Sequence, residues 1–131
     1  MTQHDARGLP VRSRSATACA AVDVALWRMM SFYDTPLADL DAAIAADPGW
    51  ALPHTMKAGF LASLTEASLL PQAAQHLAAA RALTGAQTPA RERMHLEALQ
   101  LGLEGRWAAA CRHWDALLID YPCDALALQW A

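Results

Sequence analysis

From Ser15 onward the apolar residues recur three and four apart, which is helical spacing. Ala18, Val22, Ala25, Leu26 and Met29 fall on one stripe. Ser15 is placed to cap that helix, which is expected to end near Tyr33. Asp34-Thr35-Pro36 carries the next start signal, with Thr35 as cap and Pro36 in the first helical position. Leu37, Leu40, Ala43 and Ile44 share a face of this second helix, and Asp47-Pro48-Gly49 stops it. A third helix is predicted over residues 51–65, with Pro53 tolerated in its first turn. After a connection at 66–70, Pro71 opens a fourth helix with Ala74, Leu77, Ala78, Arg81 and Ala82 along it, and Gly85 marks its end. Thr88-Pro89 repeats the cap-and-proline signal, and Glu92 in the first turn suits the helix dipole. That fifth helix is expected to reach about Glu104. The sixth starts near Arg106 and carries Trp107, Ala110, Cys111, Trp114, Leu117, Leu118 and Tyr121 on one stripe until Pro122 stops it. Asp124 could begin a further helix, in which Leu126, Leu128 and Trp130 are apolar, so the reading is six helices and a stub. No strand pattern competes. Residues 1–14 are polar, contain Gly8 and Pro10 and show no period. They read as an extended or mobile lead-in to a helical domain over 15–131.

The pattern also repeats. AAIAADPGWALPH at 42–54 and ALLIDYPCDALAL at 116–128 share an apolar helix end, an acid, a proline and a new helix. Their prolines, Pro48 and Pro122, stand 74 residues apart. Two units of about 37 residues fit that separation, slightly above the roughly 34 of a tetratricopeptide (TPR) repeat. The middle break, at 85–89, is less regular. GRWAAACRHWDALLIDYP at 105–122 has the spacing of the second TPR helix: Gly105, Trp107, Ala110, Trp114, Leu117, Pro122. The expected fold is therefore all-α, a TPR-like α-α superhelix of about three helical hairpins. In such an array each hairpin buries its stripe only against its neighbours, so the ends need polar caps. Residues 125–131 are not polar. They read as the first half of a further repeat, so the chain is expected to be the N-terminal piece of a longer protein. As an end they would either lie against the last hairpin or offer an apolar patch open to self-association.

Composition narrows the class. Hydrophobic residues make up 55% of the chain, against about 45–50% in ordinary domains, and much of the excess is helix-favouring alanine. A net charge of −3 gives no electrostatic case for nucleic acid or an anionic membrane. No apolar run reaches the roughly 18–20 residues of a membrane span, and the first residues lack the apolar core of a signal peptide. Cys19, Cys111 and Cys123 form no Cys-x-x-Cys pair. They read as small buried hydrophobes, and a cytoplasmic location is expected.

The stretches AIAADPGWALPHTMKA (43–58), PARERMH (89–95) and 105–128 resemble the N-terminal part of the tetratricopeptide repeat protein 38 family. The family has similar runs: an Ala-Asp-Pro break, a helix bearing a His, an Arg-rich start with a His, then Gly-x-aromatic, Ala-Cys, a Trp and a proline break. The resemblance implies an α-α superhelix of unassigned role with further repeats downstream. It implies no catalytic residue.

Candidate site residues follow from the array geometry. First helices of TPR hairpins line a concave groove, so His54, Thr55, Glu92, His95 and Leu99 are candidates for contact with a partner, and Trp130 for an exposed end contact. His54 and His95 could face a ligand or each other, or bridge helices as packed, hydrogen-bonded rings. Arg91, Glu92 and Arg93 could form an anion site at a helix start, or a solvated cluster. Asparagine is absent, which argues against a two-carboxylate clamp on a partner's C-terminus. Trp27, Trp107 and Trp114 read as core, and Trp50 as cover for a hairpin junction. No Gly-rich phosphate loop or Gly-x-Ser-x-Gly elbow occurs, and no histidine pair has metal spacing. The expected function is thus non-enzymatic, without cofactor or metal: a module that takes a peptide or helix of a protein partner. The alternatives are a small-molecule or enzymatic part of a longer superhelix, or a structural oligomerisation module. On the groove reading, His95→Ala weakens binding without lowering stability.

Overall fold

The computed structural model describes residues 3–131. Seven α-helices lie among them: α1 (Ala16–Ser31), α2 (Leu37–Ala46), α3 (Leu52–Ser63), α4 (Leu70–Leu83), α5 (Ala90–Leu103), α6 (Trp107–Asp120) and α7 (Ala125–Trp130). A 3₁₀ turn, Ala67–Leu69, leads into α4. Short connections pair the helices in sequence, α1 with α2, α3 with α4 and α5 with α6. The helix that opens each pair, and then α7, start at residues 16, 52, 90 and 125, so 36, 38 and 35 residues apart. The fold is all-α and helical-repeat-like. α3 packs on both α2 and α5, while α7 packs on α6 and touches α1.

Local chemistry explains most boundaries. The Ser15 hydroxyl accepts from Ala18 N at 3.1 Å and starts α1. The buried residues of α1 are Ala18, Val22, Ala25, Leu26 and Met29, the stripe read from the sequence. The two threonine–proline signals act one residue later than expected. Pro36 and Pro89 are the capping residues, not the first helical ones. Thr35 Oγ1 still accepts from Leu37 N, whereas Thr88 Oγ1 turns back to accept from Gly85 N. At the α5–α6 turn Gly105 has φ 81°, and Arg106 N reaches back to Leu101 O at 2.9 Å. A left-handed residue closed by that bond is a Schellman stop, which only glycine adopts without strain.

Two features differ from the expectations. In α4 the buried positions are Ala73, Leu77 and Ala80, so Ala74, Ala78, Arg81 and Ala82 face outward. Alanine surrounds this helix, and small side chains mark no face. The lead-in forms a hairpin, β1 (Gln3–His4) against β2 (Pro10–Val11), with Gln3 opposite Val11. Asp5 Oδ1 builds its turn by accepting from Arg7 N and Leu9 N, and Gly8 sits at φ 77°. Strands of two residues are too short to show a period. Leu9, Val11 and Ser13 are buried, so the hairpin packs onto the helices.

The core runs as three clusters. Val11, the α1 stripe, Leu40, Ala43, Trp50, Leu52, Met56 and Leu126 form the first. Ala51, Ala58, Leu77, Ala80, Leu96 and Leu99 form the second. Ala98, Ala110, Trp114, Leu117 and Ala127 form the third. Trp130 packs against the first and the third. Trp50 and Trp114 are buried, but Trp27 and Trp107 are 54% and 48% exposed, which corrects their reading as core. Cys123 is exposed and the other two cysteines are half-buried, so none is a fully buried hydrophobe. Among the described residues no helix is long and apolar enough to cross a membrane.

Candidate partner-binding furrow

An apolar furrow crosses the ends of α1 and α3. Arg28, Met29 and Phe32 of α1 and its cap, Asp34 and Thr35 of the following turn, Phe60 and Ser63 of α3, and Gln129 and Trp130 of α7 line a cleft of about 470 Å³. A second cleft, of about 190 Å³, shares Ser63, Gln129 and Trp130 with it and continues past Gly59, Leu99, Trp107 and Trp114. Trp130 stands between the two. Its ring lies 5.9 Å from that of Trp114 and meets His95 edge-on at 6.1 Å, separations typical of aromatic pairs. This seat depends on Gly59. A Cβ at residue 59 would clash with Cζ2 and Cη2 of the Trp130 indole. Gly102 has the same relation to Trp107.

The rim carries exposed aromatics. Phe32 is 83% exposed and Tyr33 76%. Tyr33 packs on Trp27 with ring centres 5.9 Å apart. Phe32 also has φ 54°, a left-handed conformation that costs an L-residue roughly 1–2 kcal/mol. A bulky apolar side chain, held in water on a strained backbone, is a site-like departure from good folding practice.

Behind the furrow lies a buried polar network. Asp124 caps α7, its Oδ1 accepting from Ala127 N at 3.0 Å. Its Oδ2 is 2.9 Å from His95 Nε2 and 3.4 Å from Arg91 Nε. Arg91 reaches on to Asp5 Oδ2 at 3.6 Å, tying the N-terminal hairpin to the same group. Trp114 Nε1 donates to His95 Nδ1 at 3.3 Å. That donation makes Nδ1 the acceptor, so His95 carries its proton on Nε2 and donates to Asp124. Glu92 points the other way: its Oε1 accepts from Trp50 Nε1 and from Arg12 N, both at 3.0 Å.

The titration directions follow. Burial holds His95 below its usual range; Asp124 opposes this and Arg91 adds to it. His95 is therefore neutral near physiological pH. Burial works against the charge on Asp124, but the His95 hydrogen bond, Arg91 and the Ala127 N–H outweigh it and hold the carboxyl below the usual range. Burial pushes Glu92 up, against the pull of Trp50, Arg12 N and Arg91. His54 and His76 are lowered by burial first, and Lys57 lowers both further.

These shifts fix the shape of stability against pH. A buried neutral histidine binds fewer protons folded than unfolded, so stability falls as pH drops below about 6.5. Glu92 binds more protons folded than unfolded once pH exceeds about 4.3, so it lowers stability as pH rises. Glu92→Gln keeps an acceptor for Trp50 and Arg12. It is expected to raise Tm near pH 7 and to leave it unchanged near pH 4, as read by calorimetry across pH. An equal Tm at pH 7 would remove the Glu92 contribution.

The structure separates the residues read as a binding set. Leu99 and Trp130 line the smaller cleft together, and the His95 ring meets Trp130 edge-on. Thr55, Glu92, His95 and Leu99 are all buried, at 1%, 3%, 0% and 2% exposure. His54 is half-buried and answers to His76 and Lys57, not to His95. Arg91 and Glu92 are core residues, 3% exposed each, instead of a solvated helix start. His95→Ala would thus remove a core hydrogen-bonding group, and the expectation of unchanged stability is withdrawn. Gly59 and the Phe32 rim carried no pattern that set them apart, while Arg91 read only as part of an anion site or solvated cluster and Asp124 only as a helix start. Among the described residues no three His, Cys, Asp or Glu side chains are placed to hold a metal ion. No protein-family model matches the chain, and no solved structure matches it.

Proposed function

We propose that the chain is a TPR-like helical-repeat module of the cytoplasm that takes a peptide or helix of a protein partner in the Phe32–Trp130 furrow. The furrow carries the reading: Met29, Phe32, Phe60 and Trp130 give a concave, mainly apolar surface edged by Arg28 and Asp34, with aromatic anchors of the kind that dominate protein interfaces. The helix-start spacing and the stretches similar to the tetratricopeptide repeat protein 38 family favour a superhelical repeat. The module is non-enzymatic in this reading, because the buried Asp124–His95 pair ends on Trp114, an N–H donor with no nucleophile to activate.

Photo-crosslinking in the source cells tests it. A photoreactive residue at Phe60 in the furrow is expected to give a discrete adduct, and one at Gln75, exposed on α4, none. Phe32→Gly removes both the anchor and the backbone strain. It is expected to reduce the Phe60 adduct several-fold while stability holds or rises by about 1 kcal/mol. Equal adducts at 60 and 75, or an adduct indifferent to Phe32→Gly, would contradict the furrow as the binding face.

A further inference from the structure

A third cleft, of about 480 Å³, lies where the N-terminal hairpin meets the start of α5 and the end of α6. It shares no lining residue with the furrow. Its polar lining is Gln3, Arg12, Arg14, Gln87 and Tyr121, and no carboxylate lines it. A smaller cleft along residues 85–88 adjoins it through Arg12 and Gln87. Among the described residues neither Arg12 nor Arg14 forms an ion pair, although acids outnumber bases in the chain.

The backbone that presents these arginines is pinned. Val11 and Ser13 are 3% and 0% exposed, and Arg12 and Arg14 alternate outward between and after them. Arg12 N donates to the buried Glu92, and Ser13 Oγ donates to Asp47 Oδ2 at 2.6 Å. The two guanidinium groups therefore start from pinned backbone positions, and the Gln87 amide and the Tyr121 phenol line the same cleft. Paired forks of this kind suit oxyanions, which accept two parallel N–H bonds from each. A cleft of this volume is larger than a single oxyanion needs and falls in the range of small-ligand sites.

We propose that this cleft binds a polyanion bearing at least two phosphate or carboxylate groups, gripped by Arg12 and Arg14. The source is a small phosphorylated molecule or an acidic peptide stretch. NMR titration of the full chain at constant ionic strength tests it, with pyrophosphate and hexaglutamate as probes. Saturable shifts of the Arg12 and Arg14 guanidinium and Gln87 amide signals are expected with one of them. Saturation by pyrophosphate assigns the small-molecule source, and saturation by hexaglutamate the peptide source. The double variant R12Q/R14Q, whose changes lie on exposed side chains, is expected to weaken binding at least about tenfold, equal to 1.4 kcal/mol, without a change in Tm. Shifts that never saturate with either probe, or equal binding by the double variant, would overturn the proposal.

Discussion

Asp124→Ala is expected to cost about 3–5 kcal/mol in denaturant unfolding, the range for breaking one side of a buried ion pair. Three losses coincide at this residue. α7 loses its cap at Ala127 N, an interaction worth about 1 kcal/mol on its own. His95 Nε2 loses its acceptor in a site with no water contact. Arg91, 3% exposed, is left with Asp5 as its one ion-pair partner among the described residues. Asp124→Asn keeps the shape and the cap and should cost less. The wild type carries a pH signature here as well. Because the folded carboxyl lies below its usual range, its contribution is present above about pH 3.9 and is lost as pH falls further. A cost below about 1 kcal/mol for the alanine variant would mean that α7 is not anchored through this group.

Gly59→Ala is expected to cost about 1–3 kcal/mol, the usual penalty for overpacking, although alanine is the better helix former by about 1 kcal/mol. The sign therefore separates packing from propensity. A methyl at residue 59 occupies the place of the Trp130 indole, so either the ring leaves or α3 and α7 separate. Both outcomes shift the Trp130 indole NMR signal and remove its contacts with Trp114 and His95. A stabilised variant with an unshifted indole would show that Trp130 does not sit over Gly59.

The difference in legibility between these residues has a physical cause. The α1 stripe could be read because one helix sets the spacing of Ala18, Val22, Ala25, Leu26 and Met29, and neighbours need only be apolar. Ser15 and the Pro48 and Pro122 breaks are equally local. Arg91 and Glu92 looked like a solvated helix start because their partners are far away in sequence: Asp5, Asp124, Trp50 and Arg12. A charge is buried only where such partners converge, and no local pattern records that. Trp27 shows the opposite error. It follows Leu26 on the stripe, but one residue turns a helix by about 100°, enough to put the indole in water. In α4 the alanines left the buried face undefined. For the furrow, Trp130 was legible as apolar, but its seat depends on a missing side chain at Gly59.

The position of Trp130 underlies both the packing of α7 and the shape of the proposed binding face. Nuclear Overhauser contacts of its indole in the full chain test it most directly. Contacts to Gly59 Hα and to the Trp114 and His95 rings are the predicted result. A Trp130 indole without contacts to α3 or α6 would contradict the account, because the two clefts would then lose the aromatic side chain that lines both.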